Sequence, residues 1–407
     1  MSNPKLMSAP MPTAQWGRVG VVLGGQGVSL IGDQVFFVAA LWVAAQLGGT
    51  SAVTWVTLAE SVPRALALLF GGVICDAIGP RLVLLRTTSV RVAVLAVATV
   101  ATLFVRSVPL LAVVATLEGA MLGLGAPSYG TLLPRMVSDN RLDTANSVRT
   151  MVARFAPILG SPFGAWLVAT GRLTLSFAVV CGGCVVSLLS LVPVTRSLAP
   201  VTTHATGLAR RAADGFRLLR TDRRLRLLFL SALCLDFAFA WPLNPGLPVV
   251  VLDRGWHVSA VGLLTACWAA GALVSAAAGA MLGNRVPLAV RLIGGGVGIW
   301  VMLTCMILVR SPAAMATIAT LLGVCSGQNG PAGFTLYQQS APRDQLGVAT
   351  ALMLLAAIGC GPLAYAVFGL VANLTGPTVA WLCSASLALG GPVAAGLALC
   401  VPSVDRA

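Results

Sequence analysis

Among the ionisable residues inside long apolar runs, Asp33, Glu60, Arg64, Glu118 and Asp236 are the candidates for proton chemistry. A carboxylate at the centre of a bilayer costs about 2.5–3.5 kcal/mol on insertion scales, so the four acids are expected to face the protein interior or a water-filled cavity. In such a place a carboxyl group exchanges protons or holds the polar part of a ligand. For Asp33 a second reading stays open, a structural carboxylate hydrogen-bonded at a helix bend. Glu60 and Arg64 are four apart, hence on one helix face and able to pair, with Pro63 between them to kink the helix. They form either a neutralised structural pair or a switch in which Arg64 sets how readily Glu60 or Asp33 releases its proton.

Uncharged and aromatic neighbours supply candidate ligand contacts. Gln34 and Phe37 follow Asp33, Phe239 and Trp241 follow Asp236, and Gln328 and Asn329 lie together in a later run. The aromatic surround of Asp236 suits a flat apolar ligand and would serve equally well to fill a helix interface. Arg154 would bind an anionic group or pair with an intramembrane acid, and pairing is expected because buried charges need partners. Cys181 and Cys184 form a C-x-x-C, but in an apolar run with no histidine nearby, so they read as small hydrophobes. His204 and His257 fall in different loops. No metal site and no cofactor is implied, and no G-x-x-x-x-G-K-[ST] phosphate loop occurs.

The elements that carry these residues must be membrane helices. Of 407 residues 57% are hydrophobic and only 9% charged, with a mean hydropathy of +0.92. Soluble domains carry about 25% charged residues. Runs of about 20 residues, the length that crosses a bilayer, are read near 18–46, 54–74, 87–105, 108–133, 146–169 and 174–194, then near 226–252, 259–283, 292–309, 313–338, 347–372 and 378–401. The expected architecture is an all-α membrane protein of about twelve helices in two sets of six. Residues 1–194 form the first bundle, 195–225 a linker and 226–407 the second bundle. In the linker Leu208, Ala212, Phe216 and Leu219 form one helical stripe among arginines, as in a helix lying on a membrane face. Residues 1–15 lack the apolar core of a cleavable signal.

A net charge of +14 could suggest nucleic acid, so its distribution decides. With the amino terminus inside, Arg106, Arg172, Arg254 and Arg310 lie outside and Arg64 and Arg154 within spans. The other 20 of the 26 basic residues fall on the cytoplasmic side. This bias orients membrane helices. It predicts a multi-pass protein of the cell membrane with both termini cytoplasmic, and excludes a nucleic-acid partner. Arg91, near the start of its run, is expected to snorkel to the inner surface.

The second half echoes the first: Asp236 follows Asp33 by 203 residues, Gly279 follows Gly72 by 207, and Pro342-Arg343 follows Pro134-Arg135 by 208. Near-equal offsets indicate a duplicated six-helix unit. Between the second and third runs lies Gly72-Val73-Ile74-Cys75-Asp76-Ala77-Ile78-Gly79-Pro80-Arg81, expected as a short loop. Gly72, Asp76, Gly79 and Arg81 make it resemble the Gly-x-x-x-Asp-x-x-Gly-x-Arg signature of major facilitator superfamily transporters. Ala77 and Pro80 depart from that signature. The join Leu133-Pro134-Arg135, followed by Leu142-Asp143-Thr144-Ala145-Asn146-Ser147, resembles macrolide-efflux and enterobactin-exporter-like members. Gly160, Pro162 and Gly164 partly match an antiporter motif of the fifth helix, and with Gly361 and Pro362 they are hinge candidates. Where drug antiporters often carry Arg-x-x-Gln-Gly, this chain has Ala115 and Glu118, so the usual arginine is absent.

The resemblance implies two six-helix bundles around a central cavity. It also implies proton-driven export of a small amphipathic compound, such as an antibiotic, drug or secondary metabolite, by a monomer in contact with membrane lipids. Asp33, Glu60, Arg64, Glu118 and Asp236 are then the proton-coupling candidates, and Gln34, Phe37, Arg154, Phe239, Trp241, Gln328 and Asn329 line the cavity. Gly72, Asp76, Gly79, Arg81 and Arg135 form the cytoplasmic gate. A proton-coupled importer or facilitator would share every one of these features. A polytopic membrane enzyme would need a catalytic constellation on a sizeable loop, and the outer loops are too short for one.

Overall fold

A computed structural model of the chain describes residues 14–133, 136–137, 139–195, 217–282, 285–342 and 345–401. Among the described residues all regular elements are helices: α1 (Ala14–Ile78), α2 (Pro80–Phe104), α3 (Val108–Leu132), α4 (Asp139–Ala169), α5 (Leu173–Thr195), α6 (Arg223–Leu243), α7 (Gly246–Asp253), α8 (Ser259–Leu282), α9 (Leu288–Leu308), α10 (Pro312–Ser340), α11 (Leu346–Thr375), α12 (Pro377–Ala388) and α13 (Gly390–Cys400). Nine helical stretches among the described residues are long and apolar enough to cross a membrane. The chain is an all-α, multi-pass membrane protein.

One of the nine, Gly17–Leu68, has 52 residues. Straight, at 1.5 Å per residue, it would be roughly 78 Å long, more than twice the ~30 Å apolar thickness of a bilayer. The chain breaks instead at Gly48 and at Gly49, whose φ of 58° and ψ of −147° abandon helical geometry. Ala39, Ala44 and Ala45 before the break then share one apolar cluster with Ala52, Val53 and Val56 after it.

The stretch expected as a loop at 72–81 is almost entirely helix. Helix α1 continues through Asp76 to Ile78, and α2 starts at Pro80. Gly79, at φ 86°, makes the turn alone. Only glycine adopts that backbone freely, and proline suits the first helical position because its missing N–H would have no partner there.

Glycines set how closely the helices cross, and they do so twice. A Cβ on Gly119 would land on the backbone carbonyl of Glu60, and one on Gly123 would land on that of Arg64. In the second half Gly323 meets the carbonyl of Trp268 and Gly327 that of Ala272. The glycines are 204 residues apart and their partners 208, so one α3-on-α1 crossing recurs as α10 on α8. Gly119→Val is therefore expected to destabilise by about 1–3 kcal/mol, the usual effect of overpacking, read as a lower unfolding midpoint in detergent. Gly130→Ala, where nothing lies within 4 Å, should leave the midpoint unchanged.

Helices α1 to α5 pack on one another, as do α6 to α13, and α1 and α4 meet α7, α8 and α11 across the middle. On that seam Ser51 donates to Asn373 Oδ1 at 2.7 Å, and Gly369 lies against Thr54. Gly262 of α8 abuts Ser161 and Pro162 of α4.

Candidate functional site

A cavity of about 690 Å³ lies between the two groups of helices. Asp33, Glu60 and Glu118 line it from α1 and α3, and Asp236 lines it from α6. The sequence signal for these acids, charge inside an apolar run, thus converges on one chamber.

Three of the four acids have a basic partner. Arg64 donates to Glu60 Oε1 at 3.0 Å, with its own side chain half exposed. Arg91 of α2 is the hub of the rest. Its Nε donates to Glu118 Oε2 at 2.8 Å, one terminal nitrogen donates to Ser29 Oγ at 3.1 Å and the other to Asp33. The Arg91 side chain is 7% exposed and that of Glu118 only 2%. Glu118 Oε1 is buried without a hydrogen-bond partner among the described residues. Asp236 faces the chamber exposed. Among the described residues it makes no hydrogen bond or ion pair.

Arg91 therefore does not snorkel. Hydropathy starts the run at residue 87, whereas α2 begins at Pro80. Eleven residues of helix put Arg91 roughly 16 Å along the axis, level with Asp33 and Glu118. Sequence reasoning does not bring Arg91 to this cluster, and the available signal was Pro80 as a helix start.

The match to known families decides what such a chamber belongs to. A model of the Major Facilitator Superfamily matches residues 22–364. The chain belongs to this superfamily. A curated relative, an uncharacterized MFS-type transporter of Sinorhizobium fredii, is 26% identical over 336 residues, covering 78% of this chain and 79% of the relative. Among solved structures, a bacterial homologue of the iron transporter ferroportin in its inward-facing state superposes with a TM-score of 0.72 at 16% identity, over 93% of this chain and 98% of that one. The nucleoside transporter NupG does so with a TM-score of 0.71 at 11% identity, over 95% and 99%. These structural likenesses carry the fold. As a superfamily member the chain is a secondary transporter and not an enzyme.

The other candidate residues of this facilitator separate into groups. Phe37, Phe239, Asn329 and Gln34 line the chamber. Gln34 Oε1 accepts from Ser161 of α4 at 3.4 Å, and Asn329 Nδ2 donates to the carbonyl of Leu292 at 2.6 Å. Trp241, Gln328 and Arg154 stand elsewhere. Trp241 is 1% exposed and packs edge-on against Trp381, centroids 6.5 Å apart. Gln328 donates its amide to the carbonyl of Ser275. Arg154, half-buried on α4, makes no ion pair among the described residues, contrary to the pairing expected of it.

Of the gate candidates, Gly72 is half-buried in α1, Asp76 lies in its last turn, Gly79 is the turn itself and Arg81 is half-buried in the first turn of α2. Arg135 and most of the 195–225 linker lie outside the described residues. Gly160 and Gly164 are packed tightly against Ile31, Gln34 and Val35 of α1. Pro162 touches α8 through Gly262, and Pro362 lies within α11 beside Gly361, which lines the chamber. The ten cysteines are all free thiols. No cluster of His, Cys, Asp and Glu among the described residues is arranged to hold a metal ion.

Proposed function

We propose that this transporter exports a small amphipathic compound, a drug, antibiotic or secondary metabolite, from a bacterial cytoplasm in exchange for protons. It works by alternating access. Twelve helices in two six-helix bundles, 1–194 and 226–407 joined by 195–225, rock about the central chamber of a monomer whose termini are both cytoplasmic. The branch is the one that the 133–147 join resembles, with macrolide and enterobactin exporters. One observation carries the reading: four carboxyl groups drawn from both halves open on one chamber large enough for a small organic molecule. An acid that shares a chamber with a ligand loses its proton as the ligand arrives, and regains it once the ligand has left.

Asp33, Glu60 and Glu118, with Arg64 and Arg91, form the coupling group, and Asp76 with Gly79 and Arg81 forms the cytoplasmic latch. Asp76→Asn should slow turnover without weakening substrate binding, since the latch contact proposed for it, with the helix start around Gly347, contributes only about 0.3–1 kcal/mol. Undiminished flux at every gradient would remove the latch. The function itself is tested by compound accumulation in cells with and without the protein. Accumulation should fall when the protein is present, and an uncoupler should abolish that difference. An opposite sign, with the protein raising accumulation, would make it an importer.

A further inference from the structure

We infer that the ligand taken up in this chamber is an organic cation, held by Asp236 among aromatic side chains. The inference rests on the transport reading and names the chemical class of its substrate. Its first support is the break in the internal repeat. In the first half Asp33 is met by Arg91 from α2. The offsets of 204–208 that relate the two helix crossings carry Arg91 to positions 295–299, which are Gly295, Gly296, Val297, Gly298 and Ile299. The same offset of 204 carries Glu118 to Leu322, a fully buried apolar residue. Asp236 therefore keeps the place of Asp33 and has lost both members of its ion network. It faces the chamber with no basic partner among the described residues.

Charge bookkeeping in the chamber points the same way. The four acids that line it meet two guanidinium groups, Arg64 and Arg91. With all four acids ionised the wall carries a surplus of negative charge in a low-dielectric setting, where an anionic ligand is repelled and a cation is drawn in. The surround fits an organic cation rather than a bare ion. Phe239, one helical turn from Asp236, stands 6.4 Å from Trp268, and Phe37 and Tyr365 complete the wall. Aromatic faces attract a desolvated cation through the negative face of the ring. Two residues of the wall, Glu118 and Trp268, also keep a buried polar atom, Oε1 and Nε1, without a hydrogen bond among the described residues.

The test uses the full chain in detergent and two probes of nearly the same shape and opposite charge, tetraphenylphosphonium and tetraphenylborate. Equilibrium binding of each labelled probe is measured without any gradient. The phosphonium should bind saturably and at least tenfold more tightly than the borate. Asp236→Asn should weaken it about tenfold, Asp236→Glu should restore most of the affinity, and both variants should unfold at the wild-type temperature. Equal or tighter binding of the borate would overturn the inference. So would the absence of saturable phosphonium binding, or wild-type affinity in a folded Asp236→Asn protein. The outcome is separable from that of the export reading. Uncoupler-sensitive export of anions alone would keep proton-driven export and sink the cation site. Cation binding without proton-linked flux would do the reverse.

Discussion

Arg91→Ala is expected to be the most damaging single substitution in the chamber wall, lowering stability by about 3–5 kcal/mol, the usual result of removing one partner from a buried ion pair. The reason lies in what the substitution leaves behind. Among the described residues Asp33 and Glu118 are bridged only through this guanidinium. With three ionised members the cluster carries one net negative charge, and without Arg91 it carries two in a setting that water barely reaches. The protein must then protonate one acid or open the α1–α2–α3 contact. Arg91→Lys keeps the charge but loses the planar fork that reaches Glu118, Ser29 and Asp33 together, so it should recover part of the stability. Thermal unfolding in detergent checks both, and an Arg91→Ala protein that unfolds with the wild type would mean that the cluster holds nothing together. Transport should fall with it.

What could be read beforehand, and what could not, divides along physical lines. Hydropathy and the cost of intramembrane charge are one-dimensional signals, so the all-α multi-pass character and the four acids were legible, as was the superfamily from the 72–81 signature. Contacts between helices are not one-dimensional. Hydropathy alone puts Arg91 near the surface because the apolar run starts at residue 87, seven residues after α2 does, and helix starts depend on a cap and a turn rather than on apolarity. The 72–81 stretch looked like a loop because glycine and charge cluster there, yet one left-handed glycine suffices to reverse the chain. Trp241 and Phe239 are two residues apart and so point about 200° apart around a helix. One faces the chamber and the other the core against Trp381. The choice between them needed the neighbouring helices. Only the structure shows what Gly119 and Gly123 pack against, and that Gly323 and Gly327 repeat the contact in the second half.

Asp33→Asn is expected to leave the protein folded and inserted while removing its use of the proton gradient. Stability survives because the change runs opposite to Arg91→Ala: the asparagine oxygen still accepts from Arg91, and the cluster goes from one net negative charge to none. Function does not survive, because an amide cannot carry a proton between the two sides. One pH unit across the membrane is worth about 1.4 kcal/mol per proton, so each coupled proton that is lost should cut the gradient-driven concentration ratio about tenfold per imposed pH unit. Proteoliposomes measure this directly. The variant should still equilibrate substrate and exchange it across the membrane, but the ratio should no longer rise with the pH difference. A ratio that climbs as in the wild type would remove Asp33 from the coupling. The burden would then pass to Glu118, which lines the same chamber, or to Glu60, whose partner Arg64 is half exposed and easily drawn away. Asp33→Asn paired with Asp236→Asn separates the two halves of the mechanism. The first should abolish gradient dependence at unchanged binding, and the second should weaken binding while the gradient dependence of the remaining flux persists.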